Sequence, residues 1–275
     1  MRRLLAYALR YVVAYRRKVV RSNLHRVFSN RSPQERNKIE GDFYRYLGGL
    51  IWDLLKSLRW SSQRLLNRID LVNPELIEQI GRDGHSMVLL TSHYGNWEWI
   101  ARRLAAFRAF QFWFVYKPVG WARAERWLRQ WRERQGLVPV PIKAVRTQLG
   151  QAFQDGRPAQ PLALYLGADQ TPTAHSRWIV GDFLGQRSIM YQGPEELCRN
   201  YPLIPVFVGI EPLGQGSYRV RFEEAPSNWI LQPHGFLMQW YMERLTQQIY
   251  RHPSYWLWTH RRWKHDQLAK QSMRS

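Results

Sequence analysis

His93 and Glu98, with four residues between them in the stretch SMVLLTSHYGNWEWIARRLAAF from Ser86 to Phe107, are an imidazole and a carboxylate spaced for acid–base work. On one continuous helix the two side chains would point about 140° apart, so the pair makes sense only across a bend. The sequence supplies one. Met87 to Leu90 is a short apolar run that reads as a strand, Gly95 accepts backbone angles closed to other residues, and Asn96 is a good N-cap for a helix starting at Trp97. Glu98 then falls in the first helical turn and can fold back toward the imidazole. An imidazole held in one tautomer by a carboxylate, at the mouth of a strand, can take the proton from a hydroxyl nucleophile. The local expectation is a general base, His93, and its orienter, Glu98.

Elements on either side must hold that pair in place. SNRSPQERNKIEGDFYRYLGGLIWDLLKSL predicts a helix starting near Pro33, capped by Ser32, with Ile39, Phe43, Leu47, Leu50, Ile51 and Leu54 at helical spacing. A short helix after Pro74 leads into the first strand. Beyond Phe107, QFWFVY predicts a second strand, Trp121 to Gln135 a strongly basic helix, and LVPVPI a short strand or extended link. Ala144 to Phe153 is a further helix and PLALYLGA a third buried strand. After a helix from Pro194 come two more strands, LIPVFVGI and SYRVRF, and a helix from about Phe236 to Tyr250. Strands alternating with helices predict an α/β fold with a mixed, largely parallel central sheet flanked by helices.

In such a sheet, ligands gather beyond the carboxyl ends of the strands. His93 follows the first strand and Asp169 the third, so both belong on that rim, although Asp169 also reads as an ordinary turn or N-cap residue. Arg132 and Arg134 lie two residues apart on the basic helix, so they face different directions and cannot share one pocket. Each also reads as part of a solvated basic face.

The 275 residues contain no low-complexity tract, repeat or Gly/Ser linker, which suits a single α/β domain over residues 31–275 behind an N-terminal segment, 1–30. A formal charge of +20, from 41 Lys and Arg against 21 Asp and Glu, implies anionic partners: a phospholipid surface, a phosphorylated glycolipid, an acidic carrier protein or nucleic acid. The 14 Trp and 14 Tyr suit a membrane–water interface and also base stacking. No segment matches a nucleic-acid-binding motif, and buried strands absorb many of the aromatics, so nucleic acid is the weaker reading. The lone cysteine, Cys198, excludes an internal disulfide and reads as a packing residue in a helix.

The apolar part of MRRLLAYALRYVVAYRRKVVR, about 12 residues, reaches only about 18 Å as a helix against a hydrocarbon core of about 30 Å. Its aromatics and basic flank predict a helix lying in the membrane interface or packed on the domain, and no cleavable signal is evident. HExxH, CxxC and GxxxxGK[ST] patterns do not occur, and GQGS at Gly214 to Ser217 is no nucleophile elbow. No metal site is expected, and His260 and His265 read as surface histidines.

HYGNWE resembles the His-x4-acid motif of the bacterial lipid A biosynthesis (late or secondary) acyltransferases, within the lysophospholipid acyltransferase-like superfamily. Four further segments resemble the family's in order and spacing: YRRKVVRSNLHRVF (Tyr15 to Phe28), YKPVGWARAERWLRQWRERQG (Tyr116 to Gly136), ADQTP (Ala168 to Pro172) with FLGQRSIMYQGPEELC, and HPSYWLWTHRRWK (His252 to Lys264). Relatives carry a threonine where Ser188 stands, so a hydroxyl survives. Relatives also begin with a longer hydrophobic segment, so the resemblance implies a shortened start or a reduced anchor.

The resemblance implies a fatty acyl group moved from acyl carrier protein, or coenzyme A, to a hydroxyl of a lipid A precursor at the cytoplasmic face of the bacterial inner membrane, with no cofactor. His93 and Glu98 would be catalytic, while Asn96, Tyr116, Arg132, Arg134, Asp169 and Gln170 would touch substrate. Asp169 would orient a basic residue or shape the acceptor pocket. Of the two arginines, Arg134, beside the Gly136 stop, is the first choice to steady a thioester oxyanion or carrier phosphate. Lys117 joins Tyr116 near the acceptor, and HRRWK either closes over a headgroup or forms a surface helix with buried tryptophans. Acylation of a glycerolipid or amino-acid lipid is the alternative within the same chemistry.

Overall fold

Six consecutive buried residues, Ser86–Thr91, form strand β2 at the middle of the protein. A strand covered on both faces reads as a continuous apolar run, which is why Met87 to Leu90 carries no polar alternation. The computed structural model describes every residue except 61, 174, 175, 215 and 266–275, so the last ten residues of the expected 31–275 domain lie outside the described residues.

Among the described residues the strands are β1 (Ile69–Leu71), β2, β3 (Gln111–Tyr116), β4 (Val138–Pro141), β5 (Leu162–Gly167), β6 (Trp178–Phe183), β7 (Gln186–Tyr191), β8 (Leu203–Gly214) and β9 (Ser217–Glu224). Seven of them make one sheet in the order β1-β9-β8-β2-β5-β3-β4. Its neighbours run parallel except for the β8–β9 hairpin. The fold is therefore α/β with a mixed, largely parallel sheet. LVPVPI supplies a true strand, β4. β6 and β7, absent from the sequence reading, form a separate antiparallel hairpin through Leu184 and Gly185, both at positive φ.

Among the described residues the α-helices are α1 (Arg2–Tyr7), α2 (Arg17–Val27), α3 (Pro33–Ser57), α4 (Ser62–Leu66), α5 (Pro74–Arg82), α6 (Trp97–Leu104), α7 (Ala122–Glu133), α8 (Val145–Ala152), α9 (Gly193–Asn200) and α10 (Phe236–Arg251). α3 starts where Ser32 and Glu35 form a reciprocal capping box, with Pro33 in the first turn. Cys198 is buried in α9, where burial pushes its thiol pKa up, in keeping with packing rather than reactivity.

α1 continues through a π-helical turn, Ala8–Val12, and lies on α3 so closely that a Cβ on Gly48 would sit 2.6 Å from the Ala6 nitrogen. Charge ties it down: Arg2 pairs with Asp53, and the buried Glu40 takes Arg10 at 3.3 Å, Arg17 at 2.7 Å and Arg21 at 2.9 Å. The opposite face, with Leu4, Tyr7, Val12 and Val13, is exposed. Among the described residues no helix is long and apolar enough to cross a membrane.

Candidate active site

The order of the sheet decides which carboxylate meets His93. β2 and β5 are parallel neighbours in the register Thr91↔Gly167, so the residues two beyond each end, His93 and Asp169, emerge side by side. The Asp169 carboxylate accepts from His93 Nδ1 at 2.8 Å through Oδ1. Through Oδ2 it accepts from the His93 backbone N–H at 3.1 Å and from Trp256 Nε1 at 2.8 Å. A carboxylate only accepts, so in the neutral ring the proton sits on Nδ1 and Nε2 is left as the base. The His93 side chain is 28 % exposed while that of Asp169 is 2 % exposed, so a buried anchor holds an accessible ring.

Burial alone would lower the pKa of His93, but the charge of Asp169 and its hydrogen bond, with Glu98 adding through space, more than offset this and raise it above the ordinary 6.5. Burial would likewise raise Asp169, and its His93 and Trp256 contacts outweigh that, holding it below 3.8. Both shifts favour the charged pair.

Gly95 and Asn96 make the expected bend. Gly95 adopts φ +58°, a Cβ there would press on Tyr218 at 2.9 Å, and its carbonyl accepts from Tyr46 Oη at 2.7 Å. Asn96 caps α6 by accepting from Trp99 N–H at 3.2 Å, and at 1 % exposure it is turned to that task rather than to substrate. The bend does not deliver Glu98 to the imidazole as expected. Trp97 packs edge-on against the His93 ring at 5.2 Å, while Glu98 accepts from Arg132 Nη2 at 2.6 Å and Nε at 3.3 Å. The orienter of His93 is Asp169, and Glu98 reaches the ring only through its field.

Arg132, not Arg134, is the arginine brought into the site. It is buried in the last turn of α7, its guanidinium 4.3 Å from the Phe114 ring centre and 4.9 Å from that of Tyr116, whereas Arg134 caps the helix in solvent. Tyr116 donates its hydroxyl to Glu125, and burial together with that carboxylate pushes its pKa up to about 12. It therefore acts as a neutral platform under Arg132. Gln170 comes within 3.3 Å of His93 Nε2 through its side-chain nitrogen and so lies across the reactive edge of the ring.

The closing block supplies partners that the sequence reading left open. It is not a surface helix: Tyr94 bridges Trp256 in antiparallel fashion, Leu257 N–H donates to the His93 carbonyl at 3.0 Å, and Trp256 and Trp258 are buried. Asn23 Nδ2 holds the carbonyls of Trp258 and His260, each at 2.8 Å, tying α2 to this block. Ser188 accepts from Trp263 Nε1 at 2.7 Å, so the surviving hydroxyl is a clamp on the same segment. His260 is not a surface histidine. Its Nε2 accepts from Thr171 N–H at 3.1 Å, and burial brings its pKa down to about 4, which keeps it neutral as an acceptor. His265 is half-buried.

Basic side chains gather beside this rim in a cavity of about 920 Å³ that reaches Gln170. Together these features present a polarised imidazole with a free nitrogen, a fixed tautomer and a cationic approach, an arrangement that can deprotonate a hydroxyl on an anionic molecule. Among curated proteins, none matches the chain. The model of one protein family, described as bacterial lipid A biosynthesis acyltransferase, matches residues 2–265.

Proposed function

Since the chain belongs to the bacterial lipid A biosynthesis acyltransferase family and is by that membership an acyltransferase, we propose that it moves a fatty acyl group from acyl carrier protein to a hydroxyl of a lipid A precursor, with His93 as general base. The observation that carries this reading is the Nε2 of His93, made the basic nitrogen of the neutral ring by the Nδ1 contact to Asp169 at 2.8 Å and facing the rim. Nε2 takes the acceptor's hydroxyl proton as the oxygen attacks the thioester carbonyl. The new C–O bond forms, the C–S bond breaks, and the imidazolium returns the proton to the departing thiolate. General-base help contributes about 10²–10⁴ in rate, with the remainder from positioning and oxyanion stabilisation. The acyl thioester is the only co-substrate, and coenzyme A can stand in for the carrier protein.

Asp169 and Trp256 position the base. Arg132 has its fork committed to Glu98, so this pair acts as a rigid wall beside the ring rather than as a free substrate clamp. The exposed apolar face of Leu4, Tyr7, Val12 and Val13 rests on the inner membrane at its cytoplasmic side, where the acceptor lipid is presented.

Mass spectrometry of lipids from a strain lacking the gene tests the assignment. Lipid A species short of one acyl chain are the expected result. Intact lipid A with an under-acylated glycerolipid or amino-acid lipid would move the acceptor to that class.

A further inference from the structure

The basin beside Gln170 has an unusual lining: its charged side chains are all cationic, and among the described residues no carboxylate faces it. Two of the cations, Arg17 and Arg21, pair from behind with Glu40, whose single charge offsets them in part. Four others, Lys18, Lys117, Arg261 and Lys264, have exposed side chains that make no hydrogen bond or ion pair among the described residues. They come from three separate parts of the chain, the start of α2, the end of β3 and the closing block, so helix periodicity does not explain the cluster. Mutual repulsion of converging cations is tolerated where an anion compensates it. One wall is also built from sparsely populated backbone, with Ala14 at φ +48° and Arg16 at φ +50°, a conformation that persists only when surrounding contacts impose it. Arg16 is pinned by donating to the Thr259 carbonyl at 3.2 Å.

We propose that this basin is a phosphate-binding site for the headgroup of the hydroxyl acceptor, with Lys18, Lys117, Arg261 and Lys264 as its donors; this rests on the acyl-transfer reading given above. At about 920 Å³ it admits more than a single phosphate, and it is concave, which suits a headgroup rather than the convex face of a folded carrier. Gln170 belongs both to its lining and to the edge of His93 Nε2, at 3.3 Å. A phosphate seated among the lysines therefore places the rest of the headgroup against the base. A phosphate carries more charge than a carboxylate and offers more acceptor oxygens, so it satisfies several converging ammonium groups at once.

Two measurements on the full chain test this. In the first, kcat/KM is compared for a phosphorylated acceptor and for the same acceptor after phosphatase treatment. In Lys18→Ala/Lys264→Ala the preference for the phosphorylated form falls about tenfold or more, through KM. Lys18→Arg/Lys264→Arg restores most of it, and Lys38→Ala, outside the basin, leaves the preference as it was. In the second, inorganic pyrophosphate is titrated calorimetrically: the wild type binds it and the double alanine variant does so at least several-fold more weakly. An unchanged preference with unchanged pyrophosphate binding overturns the proposal, as does a variant whose only change is a raised KM for the acyl-thioester donor, which would give the basin to the carrier. If no acceptor is acylated yet pyrophosphate binding still depends on Lys18 and Lys264, the phosphate site stands and the acyl-transfer reading fails.

Discussion

Replacing Asp169 by Asn changes one atom and reverses the proton placement on His93. Asp169 receives three donors: His93 Nδ1 on Oδ1, and both the His93 backbone N–H and Trp256 Nε1 on Oδ2. An amide has one oxygen, and the two donors converging on the Oδ2 position claim it. The NH₂ group is then left facing Nδ1, which must become an acceptor, and the ring proton moves to Nε2 where the base should be. Loss of a correctly held tautomer costs about 10³–10⁴ in kcat, or about 4–5.5 kcal/mol of transition-state stabilisation. The assay is thiol release from an acyl thioester with saturating acceptor, followed from about pH 5.5 to 9, with near-ultraviolet circular dichroism reporting the packing around Trp256. In the wild type the rate rises with pH through a midpoint above 6.5, because His93 must lose its proton to act and Asp169 raises its pKa. In Asp169→Asn the residual activity has its midpoint shifted to lower pH, since the raising charge is gone while burial remains. Activity within about tenfold of wild type, with an unmoved midpoint, would refute the tautomer argument.

Glu98→Gln strands the Arg132 guanidinium between aromatic rings with its charge uncompensated, both side chains being about nine-tenths buried. The expected loss is about 2–4 kcal/mol in urea unfolding, and Glu98→Gln/Arg132→Met recovers part of it, as a double-mutant cycle will show. Glu40→Gln releases Arg10, Arg17 and Arg21 together, three partly exposed arginines, at a cost of about 1–3 kcal/mol at neutral pH. Burial would raise the pKa of Glu40, but the arginines outweigh it and hold the pKa below 4.5. The wild type's advantage is thus fully present above pH 4.5 and is lost as the pH falls through the lowered value, so thermal melts of the two proteins should converge in acid.

Local signals were readable along the chain, and relations across the sheet were not. The cap at Ser32, the bend at Gly95 and the cap at Asn96 depend on residues a few positions apart, and each appears as expected. The partner of His93 depends instead on β5 inserting between β2 and β3, which places Asp169 rather than Glu98 at the Nδ1 edge. Chain order put the two strands first and third, and nothing in a single sequence states that they touch. The choice between Arg132 and Arg134 did leave a trace. Ala124, Leu128 and Arg132 recur every four residues on the less exposed side of α7, and Arg134 falls off that stripe. The β6–β7 hairpin escaped because a leucine holds the first left-handed position of its turn, where Asn or Gly would have announced it. Trp256 was legible as an interface or core ring, but its donor role toward Asp169 needed the closing block to return beside Tyr94.

Whether the His93 nitrogen takes the acceptor's proton is decided by a single-turnover measurement of acyl transfer with His93→Ala. Its ring touches solvent and its removal leaves the Asp169–Trp256 contact available, so the fold should survive with an unchanged far-ultraviolet circular dichroism spectrum. Transfer slowed by about 10³-fold or more in a folded protein is the predicted result. A folded His93→Ala protein that acylates its acceptor at the wild-type rate would contradict it.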